Sequence, residues 1–341
     1  IIEKEDRLFS KASTINQARI HGGYHYPRSI STAKISDENK LRFIHEHKDF
    51  VNNKFEHFYA IDKHSSFTDS FQFQRFCNYL NIKAEKVKSK MFNKSKIEEV
   101  YLTDEASFDP ILIAEFYKKR ISKNKNITVL KSTNVLETEK KENHWVLKVD
   151  DRDVNELISQ NIINATYSSI NKINNLFDLE SIELTHEICE IAFVNSSKLN
   201  NIGITVMDGH FCSLMPYGLS GLLSLSSVSY TPHKISQKNI YDFKCDNCSF
   251  VQSDFKTKCD NCQSNIKSNS NKMINQMNSF LNDEIKINYL FSNYTIKSKL
   301  KSSYIDDSRP TEISKLNDNP SFYCLFSGKI NSIYEVEKII S

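Results

Sequence analysis

Apolar positions along this chain switch between a helical period and the alternation of strands, and the switches outline its elements. Leu41, Ile44, Val51 and Phe55 fall at helical spacing, predicting a helix over 36–55 with Ser36 as its cap. Tyr59, Ala60 and Ile61 read as a short strand. Phe73, Phe76, Cys77 and Leu80 make a second helical stripe, capped by Thr68 or Asp69 and directed into a core. Asp109-Pro110 is a helix start, an N-cap acid followed by proline at the first helical position. That helix carries Leu112, Ile113 and Phe116 on its inner face, ends near Ile121, and leads into a strand over 127–130. A hairpin or meander is expected from 135–138 and 145–149, and a compact strand at 161–166.

From about 181 to 233 the pattern is β-rich. Strands are expected at 182–194, 203–207, 211–216 and 222–231, with Gly209, Gly218 and Gly221 at the turns. A helix over 273–284 shows Ile274, Met277 and Leu281 on one face. Strands at 289–300 and 322–326 follow, and Ile333, Val336 and Ile340 mark a closing helix. The order is α/β, then an antiparallel sheet, then α/β again, an α+β chain overall.

The first thirty residues concentrate the candidate chemistry. Ile1 and Ile2 read as the end of a buried strand, with Glu3 the first polar residue after it. In a dinucleotide-binding βαβ unit, an acid at the end of the second strand accepts from the ribose hydroxyls, and Glu3 stands where that acid would stand. A polar loop with Ser13, Asn16 and Arg19 leads to Gly22-Gly23 and the run HGGYHYPRS. Taken with Ile2-Glu3-Lys4, Ala12-Ser13, Asn16-Gln17 and, at the far end, Phe326-Ser327-Gly328-Lys329-Ile330-Asn331, the stretch resembles the flavin-dependent oxidoreductases of the D-amino-acid oxidase and glycerol-3-phosphate dehydrogenase type. The Asn-Ala-Thr strand near 164 is similar to that family's "NATG" strand, with Tyr167 in place of the glycine. The resemblance implies FAD as cofactor and a discontinuous Rossmann-like FAD-binding domain over 1–58, 105–178 and 301–341. A substrate domain would span 59–104 and 179–300.

Under the same resemblance Glu3, Lys4, Ser13, Asn16, Gly22, Gly23, Gly328, Lys329 and Ile330 would bind the cofactor. His21, His25 and Tyr26 would orient a small-molecule substrate or tune the flavin. Arg309, in an Arg-Pro element, would grip an anionic substrate group, although it reads equally as a surface arginine. The segments 215–218 and 230–233 would line the opposite wall. The family's glycine fingerprint belongs about 20 residues ahead of the acid, so we expect a strand, a glycine turn and a helix to precede Ile1 in the complete gene product.

Cys245-Asp-Asn-Cys248 and Cys259-Asp-Asn-Cys262, ten residues apart, form the sharpest local motif. Two such pairs can set four thiolates on one tetrahedral ion, a structural Zn²⁺ site stapling an insertion over 241–265. Iron in a rubredoxin-like site and paired disulfides are the alternatives. Lys244 and Lys258, one before each pair, would favour thiolates. Cys77, Cys189, Cys212 and Cys324 read as buried thiols.

Composition changes this picture little. A net charge of +3 over 341 residues offers no electrostatic case for nucleic acid, and no run is long enough to span a membrane. A cytoplasmic location is the default expectation. Only seven glycines occur, which makes each informative. The reading is an FAD-dependent oxidoreductase acting on a C–H next to an amine or hydroxyl. The alternatives are a non-catalytic binding protein on the same fold and a zinc-ribbon nucleic-acid module.

Overall fold

The computed structural model describes residues 1–252, 254–304 and 311–337. Its largest sheet among the described residues has nine strands. The strand Leu184–Asn195 runs antiparallel to Asn288–Leu300 along its whole length. Its other edge is shared between Pro232–Ser236 and Leu223–Ser227. The sheet continues through Cys212–Pro216, Ile202–Met207, Glu56–Asp62, Ile97–Thr103 and Ala84–Lys86.

One pairing corrects the expectation of an antiparallel platform. Ile202–Met207 lies parallel to Glu56–Asp62, in register from Ile202 opposite Glu56 to Met207 opposite Ile61. Parallel neighbours need a long crossover, and here the crossover includes much of the second layer.

Helices cover the platform where their apolar stripes require it. Met273, Ile274, Met277 and Phe280 of the helix Ser270–Phe280 pack against Ile204, Val206, Leu214 and Leu225. The helix Ser70–Leu80 buries Phe73, Phe76 and Cys77 against Tyr59, Ile61, Tyr101 and Met207. It starts with a capping box in which Asp69 accepts from the Gln72 backbone N–H and the Gln72 side chain from that of Asp69. At Pro110–Lys123 the Asp109 carboxylate accepts from the backbone N–H groups of Ile111 and Leu112, as the Asp-Pro pair predicts.

The second layer gathers distant stretches. Ile2–Glu3 pairs in parallel with Leu130–Lys131. Val135–Lys140, Trp145–Val149 and Glu156–Ser159 form the antiparallel meander. Asn161–Asn164 is parallel to Ser321–Phe326, which Glu312–Asn317 flanks on the other side. Trp145 meets Phe177 and Phe322 edge-to-face, joining the meander to the closing strand.

Two local expectations fail for tertiary reasons. The single helix over 36–55 is instead Ile30–Glu38, Lys40–Glu46 and a 3₁₀ turn Lys48–Phe50. Val51–Asn52 leaves the helical path because Val51 pairs with Phe108 in a three-stranded sheet. The closing helix is a 3₁₀ segment, Ile330–Val336, and Ile340 lies outside the described residues. Conversely, Tyr167, which stands where the resembled motif has a glycine, takes a left-handed backbone at φ +52°. Its ring stacks on Phe326 with centroids 5.5 Å apart and its hydroxyl accepts from the Ser298 backbone N–H, contacts that offset the strain of that conformation.

Gly218 is required in a way that Gly221 is not. At Gly218 φ is +57° and an added Cβ would lie 2.4 Å from the Asp109 Cα. At Gly221 φ is +76° with open space around it. Gly218→Ala should therefore lower unfolding free energy by about 3 kcal/mol or more, from strain plus overpacking. Gly221→Ala should lose only about 1 kcal/mol. Urea unfolding midpoints of the two variants give the comparison.

Candidate active site

A cleft of about 2190 Å³ opens between the two layers. That is more than twice the upper end of ordinary small-molecule pockets, about 300–1,000 Å³. Glu3, Lys4, Ser13, Asn16, Gly328, Lys329 and Ile330 all line it, so stretches from opposite ends of the numbering border one cleft. Gly328 has nothing within 4 Å of the position its Cβ would take. Asn16 shapes the loop, its amide donating to the Ala12 and Ser13 carbonyls and its oxygen accepting from the Ala18 N–H at 2.7 Å. One Glu3 carboxylate oxygen accepts from the Glu5 N–H at 2.9 Å.

His21, His25 and Tyr26 line the same cleft and stand with ring centroids 5.6–5.8 Å apart. The His25 ring stacks on Phe211 at 4.0 Å, and the Lys329 ammonium sits 4.5 Å from the Tyr26 ring centroid. Gly22 and Gly23 are not among the lining residues. They let the loop pass close to its own support instead: a Cβ on Gly22 would meet the Tyr24 ring at 3.1 Å, and Gly23, at φ +92°, faces the Ala33 carbonyl at 3.0 Å. Of the expected opposite wall, Thr231 and Pro232 line the cleft, whereas residues 215–218 do not. Tyr217 points elsewhere, donating to the Thr14 carbonyl. Arg309 lies outside the described residues.

Beneath the histidine loop is a buried charge network that inspection of the sequence did not single out. The Arg19 guanidinium donates to the Tyr59 hydroxyl at 2.7 Å, Glu105 at 2.8 Å, Thr205 at 2.8 Å, and Ser213. The other Glu105 oxygen accepts from the Gly22 N–H at 3.3 Å, and His57 Nδ1 lies 3.3 Å from the carboxylate. Both ionised side chains are almost wholly buried. Burial alone would raise the Glu105 carboxyl, but Arg19 and then His57 outweigh it and hold it below the usual carboxylate range. Burial lowers the His57 imidazole, against the pull of Glu105. The signal in the sequence is slight: an acid directly before the fully buried strand Ala106–Phe108.

The four cysteines Cys245, Cys248, Cys259 and Cys262 converge, with all Sγ atoms within 4.8 Å of one another. Cys245 and Cys262 are 3.5 Å apart, and Cys248 and Cys259 are 3.6 Å apart. These are no disulfides, and they approach the edge of about 3.8 Å expected for a tetrahedron of ~2.3 Å Zn–S bonds. The two CxxC turns repeat one geometry. Ser249 and Gln263 take φ +56° and +61° and donate to the Cys245 and Cys259 carbonyls, both at 2.9 Å. Hydrogen bonds, led by the Ser264 hydroxyl and then the Asn247 backbone, lower the Cys245 thiol to about 6. Cys77, Cys189, Cys212 and Cys324 are buried, as expected. Among the described residues, no helix is long and apolar enough to cross a membrane.

No protein-family profile matches the chain. It is 24% identical over 237 residues to the FAD-dependent monooxygenase FPY4 of Fusarium mangiferae, a match covering 68% of this chain and 58% of that protein. The chain thus spans less than two thirds of that relative's length. Among solved structures it is similar to an L-alpha-glycerophosphate oxidase from Mycoplasma pneumoniae with FAD bound, at TM-score 0.70 and 14% identity, covering 96% of this chain and 83% of that one. It is also similar to a glycine oxidase from Geobacillus kaustophilus, at TM-score 0.67 and 10% identity, covering 98% and 83%. An L-amino acid deaminase from Proteus vulgaris matches at TM-score 0.65 and 10% identity, covering 98% and 84%. The fold implied by the sequence motifs is the fold the chain has.

Removing one member of the Arg19–Glu105 pair strands a buried charge. Glu105→Leu or Arg19→Met should each lower stability by about 3–5 kcal/mol, and the double variant should recover part of the loss. The pH dependence has a definite sign. A depressed folded-state pKa at Glu105 contributes stability that is complete above the ordinary carboxylate value of 4.5 and is lost as pH falls below it. His57, lowered from 6.5, begins to destabilise the fold as pH drops through that value. Thermal unfolding midpoints should therefore fall between pH 7 and pH 4, most of the fall coming from His57 and the Glu105 loss adding to it only below about pH 4.5.

Proposed function

We propose that this chain, which has the fold of the flavin-dependent oxidases described above, is an FAD-dependent oxidoreductase. Its substrate would be a small polar metabolite, oxidised at a C–H next to an amine or hydroxyl. The observation that carries the reading is the convergence of residues 1–5 and 327–330 on one cleft together with His21, His25 and Tyr26. The FAD named in the relatives' descriptions supports the same cofactor.

The residues present fit a dinucleotide. Glu3 ends a strand that is parallel to its neighbour, the position from which an acid can accept from ribose hydroxyls. Gly328 leaves open space at the closing turn, and Lys329 adds a positive charge there. When bound, FAD would supply the hydride acceptor. The protein's own contribution is placement. The Phe211 stack holds the His25 ring, and Glu105 pins the backbone at Gly22 next to His21, so the side chains facing a substrate are pre-set rather than mobile.

The cysteine cluster supports a structural Zn²⁺ held by Cys245, Cys248, Cys259 and Cys262. Four thiolates leave no open coordination position, so the ion would hold the fold and take no part in turnover.

The intact protein should purify with, or take up, FAD and show flavin visible absorbance. Anaerobic addition of the true substrate, found by screening amino acids and hydroxy acids, should bleach it. A protein that folds and takes up no FAD ends this reading. Metal analysis should give one zinc per chain, lost in Cys245→Ser/Cys259→Ser; a folded, reduced protein without metal rejects the site.

A further inference from the structure

The cysteine insertion does not hang from the surface of the substrate platform. Tyr241 and Phe255, from it, and Ile240, just before it, line the same cleft as Glu3 and Gly328. On one side the insertion is rooted in the platform: Phe243, with Tyr241, Phe255 and Ile266, packs against Ile188 and Ile296. The Asn239 carbonyl accepts from His186 Nε2 at 3.1 Å, and the Asn239 side chain accepts from the Leu184 N–H at 3.2 Å. On the other side it grips the opposing layer. Asp254 pairs with Lys4 at 2.8 Å, one residue after Glu3. Asn171 Nδ2, from the helix Ile170–Leu176 of that layer, donates to the Asn239 carbonyl at 2.8 Å.

The insertion is small. Its own strands, Phe243–Lys244 and Val251–Gln252, have two residues each. A segment of this size cannot hold its shape by burying its own apolar area. Its conformation depends on whatever joins the two CxxC turns, and Asp254 and Phe255 lie in the loop between those turns.

We propose that the metal-held insertion is a wall of the dinucleotide site, so that metal and dinucleotide binding reinforce one another. This rests on the reading of the cleft and the cysteines given above. The mechanism is thermodynamic. Metal binding orders the loop that places Phe255 and Asp254, and a dinucleotide then meets a wall already in place. By linkage, the dinucleotide must tighten the metal by the same factor. The Lys4–Asp254 pair is half-exposed and contributes modestly by itself. Its place beside Glu3 makes it the link between the two events.

The test uses the intact protein. FAD affinity is measured by flavin fluorescence before and after the metal is removed with a zinc-selective chelator, with circular dichroism monitoring the fold. We expect removal to weaken FAD at least about fivefold, the lower end of ordinary coupling between sites. Zinc transfer to a chromogenic chelator should slow by a comparable factor in the presence of FAD. Asp254→Asn and Phe255→Ala, which leave the four ligands in place, should keep the zinc and lose part of the coupling. A zinc-loaded protein whose FAD affinity is unchanged by stripping overturns the coupling and leaves the cysteine site standing. A folded protein with no zinc overturns this proposal together with the cysteine reading, and one with no FAD affinity in either state overturns it together with the reading of the cleft.

Discussion

The buried pair of Arg19 and Glu105 is the constraint on which the centre of the molecule depends. A lone ion of either sign at that depth would be desolvated at a cost that no single hydrogen bond offsets. Each charge therefore obliges the other, and their remaining hydrogen-bonding groups recruit Tyr59, Thr205, Ser213, His57 and the Gly22 backbone. The network ties three platform strands to the loop that carries His21, His25 and Tyr26. It also explains why hydroxyls and a histidine occur in the buried middle of strands that are otherwise mostly apolar there.

Above that floor, the cleft is a product of connectivity. Ile2–Glu3 against Leu130–Lys131 and Asn161–Asn164 against Ser321–Phe326 are both parallel pairs. Parallel strands cannot be joined by hairpins, so the chain must leave the layer and return to it. The platform sheet occupies that excursion, and the cleft lies where the returning strands face it. The glycine and lysine of residues 328–329 border the same cleft as Glu3 only through this return.

The insertion follows a different physical logic. Its four cysteine side chains converge on one point, and its shape repeats across the two CxxC turns down to the left-handed residues Ser249 and Gln263. Such a local device can sit on any platform. What makes it particular to this protein is its seat between Lys4 and Ile296.

What could be read from residues alone was whatever depends on near neighbours. The Asp-Pro helix start, the stripe of Phe73, Phe76 and Cys77, the left-handed glycines and the paired cysteines all follow from spacing, because the backbone fixes which residues meet within a few positions. The strand-and-turn motifs around Glu3 and Gly328 were legible too, and the layers they implied are present. Tertiary structure decided the rest. Val51 abandoned its helical period because Phe108 offered a strand partner. Gly22 and Gly23 turned out to face Tyr24 and Ala33. Glu105 became the partner of Arg19, and Asp254 that of Lys4, across separations of 86 and 250 residues. A charge carries no mark of its distant partner in its own neighbourhood. The partner is set by where the folded layers bring the chain back, and only there does the energy of burying one residue come to depend on the identity of the other.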